Sequence, residues 1–357
     1  MVGSTNSLKQ TALHARHAEL GAKFAEFGGW EMPIEYKTGI LKEHTAVRQS
    51  VGIFDVGHLG KLVIRGEQAY EFLNATLTND LAKIQPGKAQ YTLLCDEATG
   101  GVVDDLIVYF KDHDHFLLVP NAANCAEVKK RLSAAAPESL TITDHHETHA
   151  VLAVQGTKSD EVLEALGLPT GHGYMSFVEA PYEGADVIVC RTGYTGERGY
   201  ELIVDNSVAP RLWDAALKAG ASYDILPCGL GARDTLRTEM GYPLHGQDIS
   251  PQITPVQAGI GWAVGWGKPE FSGRSKLLAE RESGPKVRLR GLLAQGKGIP
   301  RPDMSVRLTR DLPIGQVTSG TFSPTLRKGI ALALINAQIQ DGAEVSVDIR
   351  GRQEVFV

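Results

Sequence analysis

Most of the features that announce a function are missing from this 357-residue chain. Cysteine is scarce. Cys95, Cys125, Cys190 and Cys228 stand far apart with no C-x-x-C pair, which excludes a zinc ribbon and a thioredoxin-type motif and fits a reducing compartment. No run of about 18 apolar residues occurs, so no membrane-spanning helix is expected. The N-terminal Met1-Val2-Gly3-Ser4-Thr5-Asn6-Ser7 is polar and lacks the apolar stretch of a secretory signal, so a cytoplasmic protein is expected. Positive charge is not in excess: 36 Lys+Arg face 42 Asp+Glu, a net −6, which argues against a general nucleic-acid binder. No P-loop, no G-x-G-x-x-G after a strand, no H-E-x-x-H and no G-x-S-x-G elbow is present.

What is present is an ordinary globular composition, 43% hydrophobic and 22% charged, with length enough for two or three domains. Charge is unevenly spread. Residues 271–357 hold 14 Lys+Arg and 8 Asp+Glu, whereas residues 1–270 hold 22 and 34, which points to a separate basic C-terminal module. Periodicity predicts helices over 8–20 and 38–49 around a turn-rich loop at 27–33. Next come a strand at 61–65, a helix at 67–77, strands at 89–95, 102–110 and 116–119, a helix at 122–135 and a strand at 140–143. This order resembles a split βαβ, ferredoxin-like unit. Strands and helices mix from 149 to 262. Beyond 286 only short alternating runs remain, as in a small β-barrel or sandwich.

Three constellations could carry chemistry. Asp104 and Asp105 begin an apolar strand, where alternation sends them to opposite faces; one should reach the interior and need partners there, unless both stay wet beside the hairpin. In 191–201 three glycines allow a close backbone approach to a ligand. There Tyr194 offers a stacking face and Glu201 an acceptor pair for a heterocycle, although an ordinary hairpin ion pair fits the same pattern. In 229–237 glycines open a helix, a favourable place for an anion. Arg233 and Arg237, four apart, could fork a carboxylate or pair with local acids. The stretch Asp144-His145-His146-Glu147-Thr148-His149 reads as loop decoration rather than a metal site.

Together these runs resemble a known family. The segments are 27–33 (Phe-Gly-Gly-Trp-Glu-Met-Pro), 43–48 (Glu-His-Thr-Ala-Val-Arg), 51–60 (Val-Gly-Ile-Phe-Asp-Val-Gly-His-Leu-Gly), 78–80 (Thr-Asn-Asp), 91–94 (Tyr-Thr-Leu-Leu), 101–106 (Gly-Val-Val-Asp-Asp-Leu), 154–156 (Val-Gln-Gly), 191–197 (Arg-Thr-Gly-Tyr-Thr-Gly-Glu), 231–237 (Gly-Ala-Arg-Asp-Thr-Leu-Arg) and 317–324 (Val-Thr-Ser-Gly-Thr-Phe-Ser-Pro). In this order they resemble the aminomethyltransferase (T protein) family of the glycine cleavage system. The resemblance implies an α+β fold, a three-domain cloverleaf with a ferredoxin-like unit and a C-terminal β-barrel around a central folate site. The implied domains are 1–55 plus 149–270, 56–148, and 271–357. It further implies transfer of the aminomethyl carbon from the lipoyl arm of H protein to tetrahydrofolate, giving 5,10-methylenetetrahydrofolate, ammonia and dihydrolipoyl H protein.

By motif matching, Asp104 becomes the key catalytic carboxylate beside the reacting folate nitrogens, with Asp104→Asn expected to cut turnover heavily and Asp105→Asn to be mild. Glu201 would hold the pterin edge, Tyr91 and Tyr194 would line the folate pocket, and Arg233 would bind a polar or anionic folate group. Asn121 and Leu59 are further contacts. Tetrahydrofolate is a co-substrate, no metal is implied, and the partner is lipoylated H protein, with neither nucleic acid nor membrane. The chain departs from the family with Gly57-His58-Leu59 in place of Ser-His-Met. It also stops at Val357, short of a family C-terminal stretch that reaches the folate. Related alternatives are a folate-dependent demethylase with another donor and a non-enzymatic iron–sulfur assembly scaffold. The scaffold's Lys-Gly-Cys-Tyr-x-Gly-Gln-Glu run is absent here.

Overall fold

Strand alternation resolves into three large sheets and one hairpin, with eight α-helices among the described residues. The structure, a computed structural model, describes residues 7–309 and 312–357; the polar N-terminal segment, apart from Ser7, lies outside them. No described helix is long and apolar enough to cross a membrane.

The five-stranded sheet runs in the order Lys88–Cys95, Val102–Asp112, His115–Val119, Leu62–Arg65, Thr141–Asp144, antiparallel at every pairing. Half of it is a split βαβ unit. His115–Val119 leads through the helix Cys125–Ala135 to Thr141–Asp144, and these two strands run parallel with Leu62–Arg65 between them. The other half differs from the expected ferredoxin-like pattern. Two strands rather than one separate Leu62–Arg65 from Lys88–Cys95, so those two run antiparallel. The extra reversal is the tight turn between Asp112 and His115. The helices Ala69–Thr76 and Cys125–Ala135 cover one face through Phe72, Leu73, Val128 and Leu132, packed on Leu62, Val108 and Phe116. Each such buried side chain is worth roughly 1.5–3 kcal/mol.

The N-terminal six-stranded sheet runs Phe177–Tyr182, Ala185–Cys190, Gly199–Asp205, His149–Gln155, Gly52–Asp55, Leu226–Cys228. Its central strand His149–Gln155 reads almost entirely apolar because both faces are covered. One face meets the helices Ser159–Ala165 and Ala209–Ala219 around Trp213. The other meets the five-stranded sheet through Phe54, Tyr109, Leu117, Val151 and Ile203.

The C-terminal sheet runs Val287–Leu293, Lys328–Asn336, Leu312–Ser323, Ser305–Thr309, Val345–Ile349, Arg352–Phe356. It curls until its edges meet at one end. There Leu293 and Val357 exchange backbone hydrogen bonds of 2.7 and 3.0 Å, and the contact does not extend along the whole edge.

Two expectations near the N-terminus are corrected. Residues 27–33 are not a loop but the turn and second strand of the hairpin Lys23–Phe27/Trp30–Glu35, with Gly28 and Gly29 at φ +59° and +87°. The first helix spans only His14–Glu19, because Lys9 spends its backbone groups on Gly29 and Glu31 of that hairpin.

Glu239, at the end of the helix Leu230–Glu239, fastens the C-terminal sheet to this body. It accepts from Ser323, Thr325 and Arg48 and lies 3.3 Å from His44 Nε2. Burial alone would raise its pKa, but the bonds from His44, Ser323 and Arg48 outweigh burial and hold it well below the usual range. A carboxyl lowered in the folded state stabilises above its unfolded value, about 4.3, and that stability fades as pH falls towards the folded value. Glu239→Gln should therefore lower the urea midpoint at pH 7, and the gap from wild type should shrink below pH about 4.

Candidate active site

A cavity of about 230 Å³ opens where the two N-terminal sheets meet the helix Leu230–Glu239 and the segment 242–245. Leu59, Tyr91, Asn121, Tyr194, Glu201 and Arg233 all line it, so the structure brings together all six expected binding residues. Asp104 is not on its wall; Asp105 is.

The second of the two aspartates, not the first, thus meets the cavity. Asp105 lies on the strand face that also gives Ile107 and Tyr109 to the wall, as period-2 alternation requires; the register slip between Leu94 and Cys95 leaves Val103 as an extra residue ahead of both aspartates. Asp104 is fully buried and accepts from the Asn121 N–H (3.0 Å), Asn121 Nδ2 (2.9 Å) and Asn124 Nδ2 (2.7 Å). Asp105 accepts from Asn121 Nδ2 (2.8 Å) and the Tyr91 hydroxyl (3.1 Å). Asn121 thus ties the two carboxylates together. Burial pushes the Asp104 carboxyl well up and the adjacent Asp105 charge adds to this, against the three N–H donors. Burial also raises Asp105, while His245, Tyr91 and Asn121 pull it back. His245 Nδ1 lies 2.9 Å from Asn124 Nδ2 and its Nε2 lies 3.0 Å from the Val102 carbonyl oxygen, contacts that hold the ring in place.

Elsewhere on the wall, Thr192 donates to Glu201 at 2.5 Å. The Arg233 guanidinium lies over the Tyr194 ring at 4.7 Å, and its Nη1 is buried with no hydrogen-bond partner among the described residues. Burial lowers its pKa, against the pull of Glu201. Burial and the Arg233 charge push His58 down to about 3, so its imidazole is neutral at physiological pH; its Nδ1 is also unpartnered. Buried polar groups without partners cost about 1–3 kcal/mol each, and their meeting in one cavity is the mark of a site shaped for a ligand. Tyr91 stacks on Trp262 at 5.2 Å and Tyr194 on Tyr242 at 5.8 Å, giving flat apolar walls.

Several sequence readings take a different form. A Cβ on Gly193 or Gly199 would fall 2.2 or 2.5 Å from the Gln155 side chain. These glycines make room for buried Gln155, which donates to Thr192 and Tyr200 carbonyls and accepts from Thr195, pinning the loop that carries Tyr194. The N-terminus of Leu230–Glu239 already holds its anion: Glu43 accepts from the Gly229 N–H (2.9 Å) and the Tyr36 N–H (2.7 Å). A Cβ on Gly229 would sit 2.2 Å from the Ile34 carbonyl oxygen. Gly229→Ala should therefore cost about 1–3 kcal/mol, read as a lower urea midpoint.

Arg237 is not beside Arg233 in the cavity; it is buried against Asp248. His146 is more than decoration, since its Nε2 donates to the His58 carbonyl at 2.7 Å and its ring packs on Trp30. Its ligand atoms also lie within 4.8 Å of those of Cys125 and Asp144.

Sequence reasoning missed Tyr174, Met175, Thr192, Tyr242 and Trp262 as wall residues. Thr192 sits inside a matched segment and was within reach. Met175 is brought in by a φ of +55°, for which a methionine gives no cue.

Comparison with known proteins identifies the family. Residues 13–268 match the family model of the GCVT N-terminal domain, and 288–355 match that of the glycine cleavage T-protein C-terminal barrel domain. The chain is 60% identical over 346 residues to an aminomethyltransferase of Frankia alni, covering 97% of this chain and 94% of that one. It is 57% identical over 342 residues to one of Mycobacterium tuberculosis, covering 95% and 92%. The crystal structure of glycine cleavage system aminomethyltransferase T from Bartonella henselae superposes with a TM-score of 0.92 at 34% identity, covering 98% and 96%. With both family models matched in order, and the fold shared along nearly its whole length, the chain belongs to the aminomethyltransferases of the glycine cleavage system, the T proteins.

Proposed function

We propose that the cavity takes tetrahydrofolate as co-substrate and receives the aminomethyl group on the lipoyl arm of H protein. The cavity's own chemistry suits that pair. Glu201 accepts from the N–H edge of the pterin, and the unpartnered Arg233 Nη1 donates to a polar folate oxygen. Tyr91 and Tyr194 hold the ring between flat faces, with Leu59 as an apolar wall. Folate supplies the two nitrogens that take up the carbon. The sulfur–carbon bond to the lipoyl arm and the carbon–nitrogen bond to the amine both break. The products are 5,10-methylenetetrahydrofolate, ammonia and the dihydrolipoyl thiol. Asp105 faces the positive charge that develops on the transferred carbon and stabilises it from a fixed position. Asp104 acts through Asn121 as a positioning residue.

The domain arrangement goes with this reading: 1–55 plus 149–270, the five-stranded unit 56–148, and 271–357, set as a cloverleaf around the folate. The basic C-terminal segment, with Arg327 and Lys328 at one of its turns, faces an acidic partner. Reversing both to Glu should weaken the apparent affinity for H protein and reduce its salt dependence.

One observation carries the proposal: Asp105 shares a wall with Glu201 and Arg233. Ammonia release tests it. Aminomethyl-loaded H protein with tetrahydrofolate should give ammonia and 5,10-methylenetetrahydrofolate together, and dimethylglycine-type donors should give none of the folate product. Turnover with such donors alone would refute the H-protein assignment.

A further inference from the structure

A second cavity, about 200 Å³, lies further along the same two strands and shares no lining residue with the first. Val102–Asp112 gives Ile107 and Tyr109 to the first cavity and Lys111 to the second. His115–Val119 gives Val119 to the first, and His115 and Leu117 to the second. Six basic side chains line the second cavity: Lys61, Arg65, Lys111, His115, His145 and His149. No carboxylate does. Such a gathering runs against the composition, because residues 1–270 carry 34 acids against 22 Lys+Arg. Its floor is apolar, made by Val63, Leu117, Ile188 and Ile203.

The cationic groups lack a counter-charge inside the cavity. Glu179 pairs with Lys111 from outside the lining, Asp144 is 3.5 Å from Lys129, and Asp205 accepts from Ser207. Lys61 is 1% exposed and donates to the Gly57 and His149 carbonyls at 2.8 and 2.7 Å. An ammonium has three donors, so one remains. Burial draws Lys61 down to about 8. Burial, then the charges of Arg65 and Lys111, lower His115; burial, then His145, lower His149. The His145 and His149 rings stand 4.8 Å apart. Arg65 and Lys111, with imidazole N–H groups beside them over an apolar floor, suit a bound anion that carries an apolar body of its own.

We propose that this cavity binds a small organic anion, a carboxylate on a short branched apolar body, independently of the aminomethyl-transfer site. The carboxylate accepts from Lys111, Arg65 and the histidines, and the apolar body rests on the aliphatic floor.

The test titrates the full chain with isobutyrate, isobutyramide and inorganic phosphate. It follows the ring C–H signals of His115, His145 and His149 by NMR and the heat by calorimetry. Isobutyrate should shift those signals saturably, the neutral amide should not, and phosphate should bind more weakly because it has no apolar body. The double variant Arg65→Ala/Lys111→Ala should lose about tenfold or more in isobutyrate affinity. Ammonia release from aminomethyl-loaded H protein should stay unchanged in that variant. The proposal is overturned by an unsaturable or absent response to isobutyrate, by an equal response to the amide, or by phosphate binding as tightly as isobutyrate. A response to an acidic peptide alone would point to a protein partner and overturn it as well.

Discussion

Asp105→Asn should lower turnover by about 10²–10³-fold while tetrahydrofolate affinity stays within a few-fold. That range is what one preorganised electrostatic group, worth about 3–4 kcal/mol, contributes in a closed site. The substitution keeps the shape of the side chain and removes its charge. The amide oxygen can still accept from Asn121 Nδ2 while the amide nitrogen donates to the Tyr91 hydroxyl, which can accept, so the wall keeps its form. What is lost is the fixed negative charge facing the transferred carbon. Asp104→Asn should cost less. Asp104 is off the wall, and its change reaches the site only by placing an amide N–H against the Asn121 N–H or Nδ2 that it now accepts from. Steady-state turnover and folate titration on both variants decide between the two. A larger loss in Asp104→Asn than in Asp105→Asn would return the catalytic role to Asp104.

Arg237→Met should destabilise the fold by about 3–5 kcal/mol, the usual result of removing one partner of a buried ion pair. The Arg237 side chain is 1% exposed and that of Asp248 0%. Their contact is 2.7 Å, and Arg237 also donates to Ser319 and to the Tyr242 carbonyl. Asp248 accepts further from Thr318 and the Leu244 N–H. One buried charge pair thus joins the helix of Arg233, the C-terminal sheet and the wall segment 242–245. Without Arg237, Asp248 is left charged and buried. Urea unfolding measures the cost, and Arg237→Met/Asp248→Leu should recover much of it, because the unpaired charge is gone. A loss under 1 kcal/mol in the single variant would show that solvent reaches Asp248.

The sequence made the helices and strands legible wherever one face was apolar, as in Val102–Asp112 and Ala209–Ala219. Motif order, which pairs each residue type with a place in the chain, picked out six residues that all line the cavity. Asp104 against Asp105 was not legible. Alternation says that neighbours diverge and puts Asp105 on one face with Ile107 and Tyr109, but which face meets the cavity is decided by elements far away in sequence. The glycine-rich runs also misled. Gly193, Gly199 and Gly229 relieve contacts with Gln155 and Ile34, residues far away in sequence, so they read as ligand loops until the chain is folded. Arg237 looked like a twin of Arg233 because four residues bring two side chains to one helix face. Only the C-terminal sheet, packed against that face, sends one into the core.

The decisive measurement is a crystal structure of the protein with 5-methyltetrahydrofolate. The pterin should lie between Tyr91 and Tyr194 with its donor edge on Glu201 and its reacting nitrogens towards Asp105. Folate bound outside this cavity, or turned so that its reacting nitrogens point away from Asp105, would contradict the assignment.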